Sequence, residues 1–68
     1  MSRHEIAIFW SDEDQAFIAE VPELPGCHAH GETREEALAN AQEAIDLWIE
    51  VARKRGSEIP APRARQVA

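Results

Sequence analysis

From His4 to Trp10 the chain alternates, with Ile6, Ile8 and Trp10 on one side and Glu5, Ala7 and Phe9 on the other. That two-residue period predicts a strand over about residues 3–10. Ser11 to Gln15 is a polar break long enough for a hairpin loop. Alternation resumes over 16–21, where Phe17, Ala19 and Val21 oppose Ala16, Ile18 and Glu20. Two strands so close in sequence pair antiparallel. Pro22-Glu23-Leu24-Pro25-Gly26 ends the ladder, because proline has no N–H to donate and Pro-Gly suits a type II turn. A short third strand follows over about 27–31.

The period then changes to that of a helix. Thr33 fits the N-cap, and Glu36 three residues later is placed to close a capping box. Leu38, Ala41, Ile45, Trp48, Ile49 and Ala52 recur at spacings of three and four and form one apolar stripe. Gly56 suits the residue after the last turn, and Pro60 and Pro62 forbid continuation. The helix is expected from about Arg34 to Arg55, and residues 63–67 are a possible last strand. The fold class is α+β, a two-layer sandwich of order β-β-β-α-(β) in a single domain spanning 1–68.

Length and charge sharpen this picture. A chain of 68 residues buries only about 60% of its unfolded surface, so its core needs help from a staple or from oligomerisation. Cys27 is the only cysteine, which excludes an internal disulfide and fits a reducing compartment. No apolar run approaches the ~20 residues of a membrane span, and the first residues lack a signal-peptide pattern. A cytoplasmic location is the expectation. Residues 1–50 carry twelve acids against Arg3 and Arg34, a net −10 within a total of −6. The remainder is basic, with Arg53, Lys54, Arg55, Arg63 and Arg65 against Glu58. The acidic body repels phosphate backbones and attracts basic partners. Three of the cations fall where they complement the dipole of the helix C-terminus. Direct nucleic-acid binding is therefore not expected.

Several groups of residues are candidates for chemistry. His28 and His30 share a face of the third strand and, with His4 read on a neighbouring strand, form a candidate chelating set. No cysteine pair or acid completes it, so solvated or interface histidines are preferred, with no metal and no cofactor. Cys27 reads as a small buried hydrophobe rather than a nucleophile. Asp12, Glu13 and Asp14 read as a solvated hairpin rather than a nuclease cluster, and no catalytic set emerges. Trp48 reads as core, and Trp10 as core edge or partner contact.

If Ile6, Ile8, Phe17, Ala19, Cys27 and Ala29 face the helix, then Ala7, Phe9, Ala16, Ile18, His28 and His30 face away. An outer sheet face should be polar, and Phe9 and Ile18 break that rule. The candidate interface residues are accordingly Glu5, Phe9, Asp12, Asp14, Ile18, Glu20, His28 and His30. They would meet a second copy of the chain or a basic protein.

A family resemblance rests on residues along nearly the whole chain. Asp12 through Ala16, Phe17-Ile18-Ala19, Pro22-Glu23-Leu24-Pro25-Gly26-Cys27, Gly31-Glu32-Thr33 with Glu35-Glu36-Ala37, and Ala44-Ile45 with Leu47-Trp48 occur in the order of the HicB antitoxin domain, which they resemble. Glu58-Ile59-Pro60-Ala61-Pro62 resembles that family's segment after the helix. The resemblance implies a degenerate ribonuclease-H-like fold without catalytic carboxylates. It also implies a partner, HicA, a small basic toxin that cleaves messenger RNA and is held inactive in the complex. Two departures stand out. Gln15 occupies a place where the family often has glycine, and with 68 residues the C-terminal DNA-binding domain that many members carry is not expected here. A short, non-catalytic antitoxin-like module is the expected function. The alternative is an orphan homo-oligomer with a regulatory or ligand-binding role, and a homodimer or higher oligomer is expected in either case.

Overall fold

A computed structural model describes residues 3–63. Three strands, β1 (Ala7–Ser11), β2 (Ala16–Glu20) and β3 (His28–Gly31), precede one helix, α1 (Arg34–Arg55). The strands form an antiparallel sheet in the order β1-β2-β3, and α1 covers one face. This is the α+β arrangement of three strands and a helix that the periodicity predicts. The possible strand at 63–67 lies outside the described residues apart from Arg63, which is in no strand.

The strands are shorter than the alternation suggested, for identifiable reasons. The first begins at Ala7 rather than near residue 3, because the Glu5 N–H donates to Glu23 Oε1 at 3.0 Å instead of joining a ladder. Val21 and Cys27 lie just past the ends of β2 and β3, yet the Val21 N–H still donates to the Cys27 carbonyl at 3.0 Å. Between them the chain makes two tight turns. The Leu24 N–H donates to the Val21 carbonyl at 3.1 Å and the Cys27 N–H to the Leu24 carbonyl at 3.0 Å. Gly26, with φ +78°, is the left-handed third residue that a type II turn after Pro25 requires. The double turn points Leu24 inward, where it is fully buried. Burial of one such side chain contributes about 1.5–3 kcal/mol.

The helix starts and stops as its sequence signals indicate, with one change. The Glu36 N–H donates to Thr33 Oγ1 at 3.0 Å. The reciprocal bond of the expected capping box is displaced by one residue, since Glu36 Oε1 accepts from the Glu32 N–H at 3.2 Å rather than from Thr33. At the other end Gly56 adopts φ +68°, and the N–H groups of Gly56 and Ser57 donate to the carbonyls of Arg53 and Ala52 at 3.1 and 2.9 Å. These crossed bonds are a Schellman closure.

The core has two parts. Val21, Leu24, Cys27 and Ile45 form one cluster, with Ile6, Trp48 and Ile49 packed against it. Ala19, Ala37 and Ala41 form the other, flanked by Ile8, Phe17 and Ala29. The second cluster corrects the expected helix stripe, because Ala37 is buried and Leu38 is exposed. The first turn of α1 lies so close to the sheet that only small residues fit between them. Gly31 marks the closest approach, where an added Cβ would lie 2.5 Å from the Ala37 nitrogen. Trp48, read as core, is half-buried at the margin, and its indole N–H donates to the Pro25 carbonyl at 2.9 Å. The Asn40 side-chain amide donates to the His30 carbonyl at 2.8 Å, occupying part of the free edge of β3.

Candidate interaction surface

Strand alternation and register assemble the outer face of the sheet. Phe9 is opposite Ile18, and Ile18 is opposite His30, so these three side chains form one row across the sheet. Ala7, Glu20 and His28 form the next row, and Ser11 and Ala16 pair at the hairpin end. Phe9 is 43% exposed, Ile18 is half-buried, and Glu20, His28 and His30 are exposed. No described element covers this face.

The hairpin acids are tied into local structure. Asp12 Oδ1 accepts the Trp10 indole N–H at 2.8 Å, and the Asp12 carbonyl accepts from the Gln15 amide. Asp14 Oδ2 accepts from the Ser11 hydroxyl at 3.0 Å, while the Asp14 N–H donates to Ser11 Oγ at 3.2 Å. Gln15 itself sits at φ +52°, a left-handed conformation that glycine adopts without strain. Asp14, Ile18, Glu20 and His28 border one shallow depression beside the Pro22–Cys27 turn. Asp12 is at the loop instead, and Glu5 precedes β1, where its N–H is engaged by Glu23. The eight candidates thus form a central group with two outliers rather than one patch.

The histidines separate. The order β1-β2-β3 places β2 between the His4 segment and β3. His4 Nε2 donates to the Pro60 carbonyl at 2.7 Å, and His4 borders a recess with Ile49 and Arg53 of the helix. It is therefore not beside His28 and His30, which corrects the three-histidine set. Among the described residues no group of three or more potential ligands could hold a metal ion. His28 Nδ1 donates to the Gly26 carbonyl at 3.1 Å. Cys27 is buried in the core, as its position suggested, and burial pushes its thiol pKa up.

Trp10 is 46% exposed and packs edge-to-face on Phe17 at 5.1 Å, and the Arg34 guanidinium lies 4.8 Å from the Phe17 ring centre. This aromatic edge lies on the helix side of the sheet, so Trp10 does not extend the Phe9–Ile18 row.

One participant was not visible as such in the sequence. Glu23, taken as a turn residue, has a side chain only 3% exposed that binds both ends of the described chain. Its Oε1 accepts from the Glu5 N–H, and its Oε2 accepts from the Arg63 N–H at 2.8 Å, with the Arg63 Nε 3.6 Å away. The Arg63 backbone bond, then the Glu5 backbone bond, hold the Glu23 carboxyl below its ordinary pKa against the opposing effect of burial.

Electrostatically the sheet is one-sided. His4 to Thr33, which includes every strand and both turns, contains seven acids and no lysine or arginine. The Phe9–Ile18 pair thus sits in a negative electrostatic field.

No helix among the described residues is long and apolar enough to cross a membrane. The chain is 42% identical over 60 residues to a UPF0150 protein of Thermoplasma acidophilum, covering 88% of this chain and 87% of that one. It is 44% identical over 48 residues to a UPF0150 protein of Synechocystis, covering 71% and 66%. A 14.9 kDa protein of Haemophilus phage HP1 matches at 38% over 47 residues, which is 69% of this chain but 35% of the phage protein. The family described as HicB-like antitoxin of bacterial toxin–antitoxin systems matches residues 4–67. With that match spanning nearly every described residue on a three-strand, one-helix fold, the chain belongs to the HicB-like antitoxin family.

Proposed function

We propose that this protein is a non-catalytic antitoxin module of the cytoplasm that neutralises a small basic toxin of the HicA type by covering it with the outer face of its sheet. The observation that carries this is the Phe9–Ile18 pair, exposed at Phe9 and half-buried at Ile18, on an uncovered face whose strands contain no lysine or arginine. The apolar pair supplies the desolvated centre of the contact. Glu20 and Asp14, with His28 and His30, form the polar rim, and Glu5 and Asp12 extend the acidic field around it. Charged rims act mainly on association rate and partner choice. Family membership supports a toxin as the partner, and the acidic field supports a basic one.

Inhibition by this route needs no catalytic group. A toxin that cleaves RNA must present cations to phosphates, and an acidic face competes for those same cations. Direct nucleic-acid binding by this chain would require its few cations to overcome the acidic body.

The test is co-expression with a basic toxin of HicA size encoded beside the gene. The wild type should restore growth and co-purify with the toxin. Phe9→Ser combined with Ile18→Ser should abolish both while the circular dichroism spectrum is unchanged. Failure of the wild type to bind or rescue would overturn the proposal.

A further inference from the structure

The free edge of β3 and one line of residues on α1 form the two walls of an open trough. Register decides which backbone groups the edge presents. The Val21 N–H bonds to the Cys27 carbonyl across the sheet. The alternation that follows through Glu20–His28 and Ile18–His30 turns the backbone of both histidines away from β2. Asn40 reaches the His30 carbonyl from that outer side, which fixes the direction. The His30 N–H and both backbone groups of His28 have no protein partner among the described residues. An edge of this kind is a template for one more strand.

Helix α1 supplies the second wall. Asn40, Glu43 and Leu47 border a depression beside His28 and His30. Leu47, Val51 and Arg55 continue it past His28 toward Gly26. These five helix residues follow one another at spacings of three and four, so they form a single line. Leu47 is 61% exposed and Val51 38%, and neither belongs to a core cluster. From Asn40 to Arg55 the line is about 22 Å long, which matches about seven residues of extended chain.

An unpaired strand edge beside a helix can take up an extended peptide as an added strand. Main-chain bonds to the edge supply affinity, and alternate side chains fall on the helix wall. Charge gives the guest a direction. Glu43 stands at the His30 end and Arg55 at the Gly26 end, and neither has an ion-pair partner among the described residues. Both pairings in the sheet are antiparallel, and a strand that continues the pattern runs from Glu43 toward Arg55. Its first residue then meets a carboxylate and its last a guanidinium.

We propose that the β3 edge and the Asn40–Arg55 line of α1 bind an extended segment of another protein as an added antiparallel strand. The segment carries a cation at its start, apolar side chains at alternate positions against Leu47 and Val51, and a carboxylate at its end. This site is separate from the Phe9–Ile18 face and independent of the antitoxin reading.

The test uses the full chain and a fluorescein-labelled probe peptide, Lys-Thr-Val-Thr-Val-Thr-Glu, followed by anisotropy. With the valines on the helix wall, the threonines lie opposite His28 and His30. They therefore point their N–H groups at β3, while the valines point theirs away. The probe should bind saturably. N-methylation of the threonine nitrogens should weaken it about tenfold or more, and N-methylation of the valine nitrogens should change little. Leu47→Lys should weaken binding about tenfold, and Phe9→Ser with Ile18→Ser should leave it unchanged. A probe with its end charges exchanged should bind about threefold more weakly, and Glu43→Lys with Arg55→Glu should reverse that preference. In the unbound chain the His28 and His30 amides should exchange rapidly with solvent, and the probe should slow both.

No binding at millimolar probe would overturn the proposal. So would binding indifferent to threonine N-methylation, which is adsorption on apolar side chains, or binding lost with Phe9 and Ile18. Protection of the His28 and His30 amides in the unbound chain would also overturn it, by showing the edge already covered by a second copy or by residues 64–68. No toxin enters these measurements, so failure here is separate from failure of the antitoxin role.

Discussion

The backbone nitrogen of Ala37 lies 2.5 Å from the point that a β-carbon on Gly31 would occupy. Backbone cannot yield there as a flexible side chain does, so helix and strand meet at a spacing set by the missing carbon. Gly31→Ala is expected to cost about 1–3 kcal/mol, typical of overpacking a tight site. The measurement is the denaturant midpoint. At Gly26 and Gly56 nothing lies near an added Cβ, and any loss on substitution there comes from their positive φ instead.

Glu23 makes stability depend on pH in one direction. Its carboxylate accepts backbone bonds from Arg63 and Glu5, which lower its pKa below the ordinary value of 4.5. In acid the unfolded chain therefore takes up this proton at a higher pH than the folded chain does. Stability falls as pH falls through that window, and the full contribution is present above it. Glu23→Gln should lower the Tm at neutral pH and flatten its decline in acid. Parallel Tm curves for wild type and variant would contradict this.

At Gln15 the hairpin holds a non-glycine residue at φ +52°. The left-handed region costs a residue with a Cβ about 1–2 kcal/mol, partly offset by the greater chain entropy that glycine loses on folding. Gln15→Gly should therefore stabilise the protein by about 0.5 kcal/mol despite losing the bond to the Asp12 carbonyl, and Gln15→Val should destabilise it. Thermal melts of both variants give the sign.

Capture of a basic partner by an acidic field is sensitive to ionic strength. With seven acids and no lysine or arginine between His4 and Thr33, raising salt from low to physiological strength should slow association with the toxin far more than it speeds dissociation. Stopped-flow or surface-based kinetics at three salt concentrations would separate the two rates. An association rate independent of salt would show that the acids play no steering role.

Elements set by local rules were legible in the sequence. Thr33, the Pro25-Gly26 turn, Gly56 and the helix limits follow from short-range bonds, and strict alternation placed Phe9, Ile18 and His30 on one face. What escaped depends on partners distant in sequence. Glu23 joins residues 5 and 63, and no periodicity encodes that pairing. Leu38 is the more hydrophobic neighbour of Ala37, yet the close approach at Gly31 selects the smaller side chain. That His4 lies apart from His28 and His30 is not legible, because alternation gives a side of the strand but not the order of strands in the sheet.

The Glu23 carboxylate has a consequence for engineering the molecule. By gripping the backbone at Glu5 and at Arg63, it brings the entry and the exit of the domain to the same spot. The strand-side entry at Glu5 and the segment leaving the helix at Arg63 therefore meet at one corner of the described fold, so a permuted chain that links these two positions directly and opens in the Asp12–Gln15 loop should still fold.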